Sequence, residues 1–277
     1  MSTVETTAPR QALLWRVFPL YPLSARRAGH LVHRNFLVAK RTWPLFVSGM
    51  FEPFFYLLSI GVGIGGLIGT VVTDTGASLS YQEFVAPGLM AAAAMNGAIY
   101  DSVFNLFFKL RYSKLYDAVL ATPLSAPDVA VGEVAWSLMR GATYSAAFLG
   151  IMVVMGLVGS WWAVLALPAA ILIGFAFAAV GLAATTFLRG WQDFEFVQLV
   201  LLPLFLFSTT FYPLSTYPGP LQVVVQCTPL YHGIELIRGL VTGDVGWSLL
   251  GNAGYLVVMG LVGLTIGARR LSGLLLK

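Results

Sequence analysis

Residues 61–69 read GVGIGGLIG, and the meaning of these glycines decides the fold. Gly61, Gly63 and Gly66 satisfy G-x-G-x-x-G, the spacing of a dinucleotide-binding turn. That turn works only where it follows a strand and opens a helix in a βαβ unit, with an acidic residue in a second strand. Here the glycines close an apolar run, PLFVSGMFEPFFYLLSIGVGIGG, residues 44–66, and a loop follows. In such a place glycine lets another helix approach closely, or lets a helix end bend. The dinucleotide reading fails, and a membrane reading replaces it.

Composition agrees. Of 277 residues, 58% are apolar and 10% charged, against about 25% charged in soluble domains. Mean hydropathy is +0.81. So few charges do not cover a soluble surface, and the chain reads as a polytopic membrane protein. The net charge of +4 comes from clusters between apolar runs, a poor pattern for nucleic-acid binding. The single cysteine, Cys227, excludes an intrachain disulfide and a multi-cysteine metal site. No secretory signal is expected, because residues 1–43 hold no uninterrupted apolar core before a cleavage site.

Crossing about 30 Å of hydrocarbon takes about 20 mostly apolar residues. Six runs qualify: 44–66, 83–108, 134–157, 162–187, 194–212 and 248–268. A further stretch, 213–240, is apolar but broken by Pro213, Pro218, Pro220 and Pro229. It suits short re-entrant helices, which survive at membrane depth only where protein or a cavity surrounds them. Of the 16 basic residues, all but Arg140 and Arg238 fall on one side of these spans. By the positive-inside rule both termini are cytoplasmic. The outer loops hold Asp74, Glu83, Glu235 and Asp244.

The expected organisation is a cytoplasmic tail (1–23), an amphipathic interface helix (24–43), a six-helix membrane domain (44–270) and a short cytoplasmic tail (271–277). The interface helix rests on SARRAGHLVHRNFLVAKR, residues 24–41. Val32, Phe36, Ala39 and Trp43 recur at helical spacing, with Arg27, His30, Arg34 and Arg41 on another face. A basic amphipathic helix of this kind lies on the anionic inner leaflet.

Catalytic signatures are missing. G-x-x-x-x-G-K-[ST] does not occur, and His30 with His33 gives H-x-x-H rather than the zinc motif H-E-x-x-H. His232 lies on the outer side, so no Ser/His/Asp set forms. The informative segments are two loops. LRYSKLYDAVLATPLSAPDVAVGE, residues 110–133, lies on the cytoplasmic side. Lys114 to Ala121 predicts a short helix stopped by Pro123, and Ser125 or Asp128 is placed to cap the next helix. A chain reversal needs only a few residues, so a structured segment of this length favours docking of a soluble partner. FSTTFYPLSTYPGPLQVVVQCTPLYHGIELIRG, residues 207–239, forms the outer broken stretch. Within it Glu235 and Arg238 are spaced to pair on one helix turn.

These pieces, with EPFFYLLSIGVGIGGLIG and YDAVLATPLSAPDVAVGE, occur in the order found in permease subunits of type-two ABC exporters. The chain resembles nodulation-factor and daunorubicin exporter permeases over roughly residues 30–270, and polysaccharide exporters more distantly. One departure stands out: the family usually has Gly where this chain has Thr209, in F-S-G-x-x-[FY]-P-L.

The resemblance implies an all-α integral membrane fold: an interface helix, six spans, a cytoplasmic coupling helix, and re-entrant outer helices before the sixth span. It implies two copies of the chain and two separately encoded ATPase subunits, with ATP and Mg on the ATPase and no cofactor here. Tyr116, Asp117, Thr122, Pro123 and Leu124 are the expected coupling surface, supported by Arg34 and Phe36. The substrate would be an amphiphile, such as a glycolipid, lipid-linked saccharide or hydrophobic antibiotic, moved out of a bacterial cell.

Ionised groups inside the membrane cost about 2.5–3.5 kcal/mol on insertion scales and so face protein or water. Glu52 and Asp101 either line the substrate path or bond to neighbouring helices, Arg140 included. Tyr56, Tyr100, Phe211 and Tyr212 complete the candidate path. An alternative function, ion-coupled secondary transport, would use Asp101 and Glu52 as titrating groups. An intramembrane transferase or a scaffold without transport are weaker options.

Overall fold

The computed structural model describes residues 24–73 and 76–275. The expected tail 1–23 and the outer-loop residue Asp74 lie outside the described residues.

Helix α1 (Ala25–Arg41) leads the chain and buries Ala28, Leu31 and Asn35. The predicted apolar stripe is therefore not the packed face: Phe36 stays 50% exposed and Trp43 63%.

The first apolar run folds as α2 (Trp43–Leu58), a π-helical turn (Ser59–Ile64) and α3 (Gly65–Ile68). A Cβ on Gly61 would stand 3.0 Å from Cγ of Gln82. Gly69 stops the helix at φ +73°, a conformation glycine reaches without steric cost. The glycines that mimic a nucleotide turn thus serve a close helix contact and a helix end.

The all-α expectation needs one correction. β1 (Thr70–Val72) and β2 (Ser78–Ser80) form a small antiparallel hairpin, with Thr70 opposite Ser80 and Val72 opposite Ser78. Its turn is closed by the Gly76 amide donating to Thr73 at 2.8 Å. Thr and Val are β-branched and favour the extended chain.

A nearly continuous helix follows: α4 (Tyr81–Ile99), a second π-helical turn (Tyr100–Asn105) and α5 (Leu106–Arg111). Ser80 and Glu83 cap it reciprocally. After the short α6 (Leu115–Leu120) comes α7 (Ala126–Val154), where Ser125 and Asp128 both join a capping box. A 3-10 turn (Trp161–Leu165) leads into α8 (Ala166–Thr185), and another (Trp191–Asp193) into α9 (Phe194–Leu206). The broken stretch gives a 3-10 turn (Leu214–Thr216), α10 (Gly219–Gln226) and α11 (Pro229–Thr242). The last helix, α12 (Trp247–Leu275), runs through the expected C-terminal tail as far as Leu275.

The predicted run 194–212 is helical only to Leu206. Its 13 helical residues reach about 20 Å at 1.5 Å per residue, short of the hydrocarbon thickness. Pro203 lies within the helix. Beyond it Thr209 takes φ +59°, which no α-helix continues through.

The core joins α4, α7, α8, α11 and α12. Much of it is alanine and glycine, so backbones approach closely, as in membrane bundles. On α12 a Cβ at Gly263 would lie 2.8 Å from the Val180 amide nitrogen and 2.9 Å from the Ala179 carbonyl carbon of α8. Large apolar side chains cover the outside: Leu67, Val154 and Trp247 are each 88% exposed. Among the described residues, α7, Trp161–Thr185 and α12 are each long and apolar enough to cross a membrane.

Candidate functional site

Segment 110–133 is fastened by one carboxylate. Glu133, near the start of α7, is 4% exposed. Tyr116 Oη of α6 donates to its Oε1 at 2.9 Å. Lys109 Nζ of α5 donates to Oε2 at 2.6 Å, and Asn35 Nδ2 of α1 donates to Oε2 at 3.1 Å. Four helices meet at one buried group. Burial first, and then the charge of Glu133, hold the Tyr116 phenol well above its ordinary value. A neutral phenol beside a carboxylate is a hydrogen-bond donor, so Tyr116 fastens α6 to α7.

A second clasp lies one turn away. Asp128 is fully buried, and its carboxylate accepts from the Ser24 amide at 2.8 Å and from Arg27 Nε at 2.8 Å. Together the clasps pin α1 along the start of α7.

The expected coupling residues separate accordingly. Thr122 and Pro123 are exposed at the tip after α6, and Leu124 is half-buried against the core. Tyr116 is 1% exposed. Its expected place on a contact surface is corrected: it lies beneath that surface, because its hydroxyl has a buried partner. Arg34 is partly exposed and donates to Asn35 Oδ1 at 3.1 Å, while Phe36 projects outward. The side chain of Asp117 lies outside the described residues.

Above the clasps lies a cavity of about 990 Å³, walled by α1, α2, α4 with its π-helical turn, α5, α7 and α9. Tyr56 and Tyr100 line it. Asp101 sits behind the wall, 3% exposed. Arg140 Nη1 donates to its Oδ1 at 3.2 Å, Asn105 Nδ2 donates to the same oxygen, and Ser137 Oγ lies 3.3 Å from Oδ2. Of the two readings of Asp101, the structure gives the helix-bonding one, with Arg140 as its partner. Phe211 does not line the cavity but packs edge-on against Phe205, which does, with ring centroids 5.2 Å apart. Tyr212 is 52% exposed and does not line it. The side chain of Glu52 lies outside the described residues.

Segment 207–239 is locked by Arg238, which is 7% exposed. It pairs with Glu235 at 2.5 Å, as the i, i+3 spacing predicts. Nη2 donates to the Thr209 carbonyl at 2.7 Å, and the guanidinium stacks 4.1 Å from the Phe84 ring centroid. Arg238 therefore holds the left-handed Thr209 in place and ties it to the start of α4.

Sequence reasoning passed over Glu133, Asn35 and the role of Lys109. The bonds that join them to other helices span 17 to 98 residues of chain, beyond any local spacing rule. The one available signal is an acid at the start of an apolar run that a basic segment precedes.

Comparison with known proteins completes the picture. A family model described as ABC-2 type transporter matches residues 27–242. Nodulation protein J of Rhizobium leguminosarum bv. viciae is 32% identical over 86% of this chain and 92% of its own length. Nodulation protein J of Neorhizobium galegae is 28% identical over 86% and 92%. The probable doxorubicin resistance ABC transporter permease protein DrrC of Mycobacterium tuberculosis is 24% identical over 87% and 88%. The chain belongs to the ABC-2 type transporter family, as its multi-pass membrane permease, a non-catalytic subunit whose ATPase is a partner subunit.

Proposed function

We propose that two copies of this permease join two separately encoded ATPase subunits and export an amphiphile across a bacterial cytoplasmic membrane. The chain crosses six times with both termini in the cytoplasm, α9 serving as a short fifth crossing and α10 and α11 as re-entrant helices. The chain divides into the cytoplasmic tail, interface helix and membrane domain expected from its sequence. ATP and Mg belong to the ATPase.

One observation carries this reading. The exposed tip at Thr122 and Pro123 connects through Tyr116 to Glu133, and Glu133 holds Lys109 at the end of the helix that walls the cavity. A push on the tip is thus delivered to the cavity wall by buried, charge-assisted bonds, roughly twice as strong as neutral ones. Thr122, Pro123 and Leu124 form the contact, with Asp117 beside them. Arg34 and Phe36 flank it from α1, and Tyr116 positions it. The nodulation and doxorubicin-resistance relatives support an amphiphilic substrate, namely a glycolipid, a lipid-linked saccharide or a hydrophobic drug.

The test is co-expression with an ATPase encoded beside the chain, followed by hydrolysis and transport measurements in lipid nanodiscs and vesicles. Wild type should retain the ATPase, and a Thr122→Arg, Pro123→Asp double variant should lose it. Transport driven by a proton gradient alone, with no ATPase associated, would overturn the proposal in favour of ion coupling.

A further inference from the structure

We infer that Phe194 is a positioning residue for transport: its ring makes α9 follow α5, so that two walls of the cavity move together. The inference rests on the coupling reading above and carries it one helix further.

The sequence sets aromatic residues at helical spacing. Phe104, Phe107 and Phe108 stand three and four apart on one helix, and Trp191 and Phe194 stand three apart where another begins. Residues three and four apart share a helix face, so each set presents one aromatic face. The fold brings the two faces together. The Phe194 ring stacks on Phe104, with centroids 4.5 Å apart and an interplanar angle of 11°. It meets Phe107 edge-on at 5.0 Å and 87°, and Trp191 leans on it at 5.2 Å. Tyr112, just past α5, closes the rim 5.6 Å from Trp191. Phe107 is 1% exposed and Phe194 6%. Stacked and edge-on pairs are the arrangements that ring quadrupoles favour. The α5 face is a socket, and Phe194 is the plug in it.

The remainder of α9 is held more lightly. Phe194 is the one buried residue among the described residues of α9. Phe196, Leu199, Val200 and Leu202 are 60–69% exposed. The chain that enters α9 is fastened beside the socket. Arg111 of α5 donates to the Leu188 carbonyl at 3.2 Å, and the Asp193 carboxylate accepts from the Arg189 amide at 2.6 Å. The start of α9 is therefore joined to α5.

Both helices line the cavity: Gln198, Leu201 and Phe205 from α9, and Phe104, Asn105 and Lys109 from the helix that carries the socket. Tyr100 stacks on Phe104 at 4.7 Å, so the rings run from the cavity to the plug without a break. A close-packed interior is nearly incompressible and passes strain on. A shift at Lys109 therefore does not squeeze the rings together. Phe104 and Phe107 carry Phe194 with them, and α9 comes with it.

The test is a double-mutant cycle on the full chain in nanodiscs, read by hydrogen–deuterium exchange in Phe194–Leu206. Lys109→Ala frees the last turn of α5 from Glu133. It should speed exchange in α9 at least threefold where Phe194 is present. On top of Phe194→Ala it should add nothing further. Phe194→Leu keeps much of the volume and loses the stacking, and it should pass on less than half of the wild-type effect. Exchange in α8 and α12 shows that each variant is folded, and Phe194→Leu decides if Phe194→Ala is not. Equal effects of Lys109→Ala with and without the Phe194 ring, or no effect on α9 at all, would overturn the inference. With the ATPase bound, transport per ATP hydrolysed should fall at least fivefold in Phe194→Leu while the ATPase stays associated. Undiminished transport would overturn the role in transport. Failure of the ATPase to associate with wild type counts against the exporter reading, and the cycle, which needs no ATPase, still decides the link between α5 and α9.

Discussion

Replacing Tyr116 with Phe removes a single oxygen from the clasp at Glu133, with little change in shape. That oxygen donates at 2.9 Å to a buried carboxylate. Hydrogen bonds to charged groups contribute about 1.5–3 kcal/mol net, so a mid-range loss of about 2 kcal/mol should raise opening of α6 about thirtyfold. Hydrogen–deuterium exchange on the ATPase complex in nanodiscs reads this directly. Amides of Leu115–Leu120 should exchange about ten to a hundred times faster in Tyr116→Phe, while α8 and α12 stay unchanged. The same pair tests pH dependence. Because the folded phenol titrates above its ordinary value near 10, its contribution is fully present below about pH 10. It is lost as pH rises through the folded value. After correction for the intrinsic exchange rate, wild-type protection should hold to about pH 10 and then fall, while Tyr116→Phe shows no such step. Unchanged exchange at Leu115–Leu120 would refute the idea that Tyr116 fastens the tip.

Three further outcomes are expected. Glu133→Gln leaves Lys109 without its counter-charge and should cost about 3 kcal/mol by analogy with broken buried pairs, read as loosening of both α1 and α6 by exchange; loosening of α6 alone would show that Asn35 does not depend on it. Thr209→Gly relieves a left-handed conformation that costs a non-glycine residue about 1–2 kcal/mol, and the contact given up, Thr209 Oγ1 to Glu235, is long at 3.4 Å. The thermal midpoint should therefore rise by a few degrees, and a fall would show that the contact outweighs the strain. Gly263→Leu drives a side chain into the α8 backbone and should cost about 1–3 kcal/mol or more from overpacking, seen as a lower unfolding midpoint, whereas Gly254→Leu, where a Cβ meets nothing within 4 Å, should leave it nearly unchanged.

The parts legible in the sequence obey short-range rules. Apolar runs mark crossing helices because a bilayer demands a fixed length of hydrocarbon-compatible chain. Glu235 and Arg238, like Ser125 and Asp128, pair within one turn, so their spacing announces them. The clasp does not announce itself, because Asn35 and Glu133 stand 98 residues apart and only the packing of α1 on α7 joins them. The length of the fifth run was misread because hydropathy continues through Phe207–Tyr212 while the backbone turns. Thr209 is instructive in both ways. It departs from the family's usual glycine, and its φ of +59° gives the physical reason that glycine suits the place.

The helix formed by α4, its π-helical turn and α5 works mechanically as a lever. It runs from Tyr81 to Arg111, about 45 Å at 1.5 Å per residue. Its first turn is pinned where Arg238 grips Phe84, and its last turn where Lys109 meets Glu133. With the Phe84 pin as fulcrum, a sideways step at the Lys109 end moves the middle about half as far. The middle carries Asn96 and Tyr100, so a step of about 2 Å at the Lys109 end would shift the cavity wall by about 1 Å. A hydrogen bond is already lost over that distance. Small motion at the base is therefore enough to change what the cavity holds, without any helix leaving its neighbours.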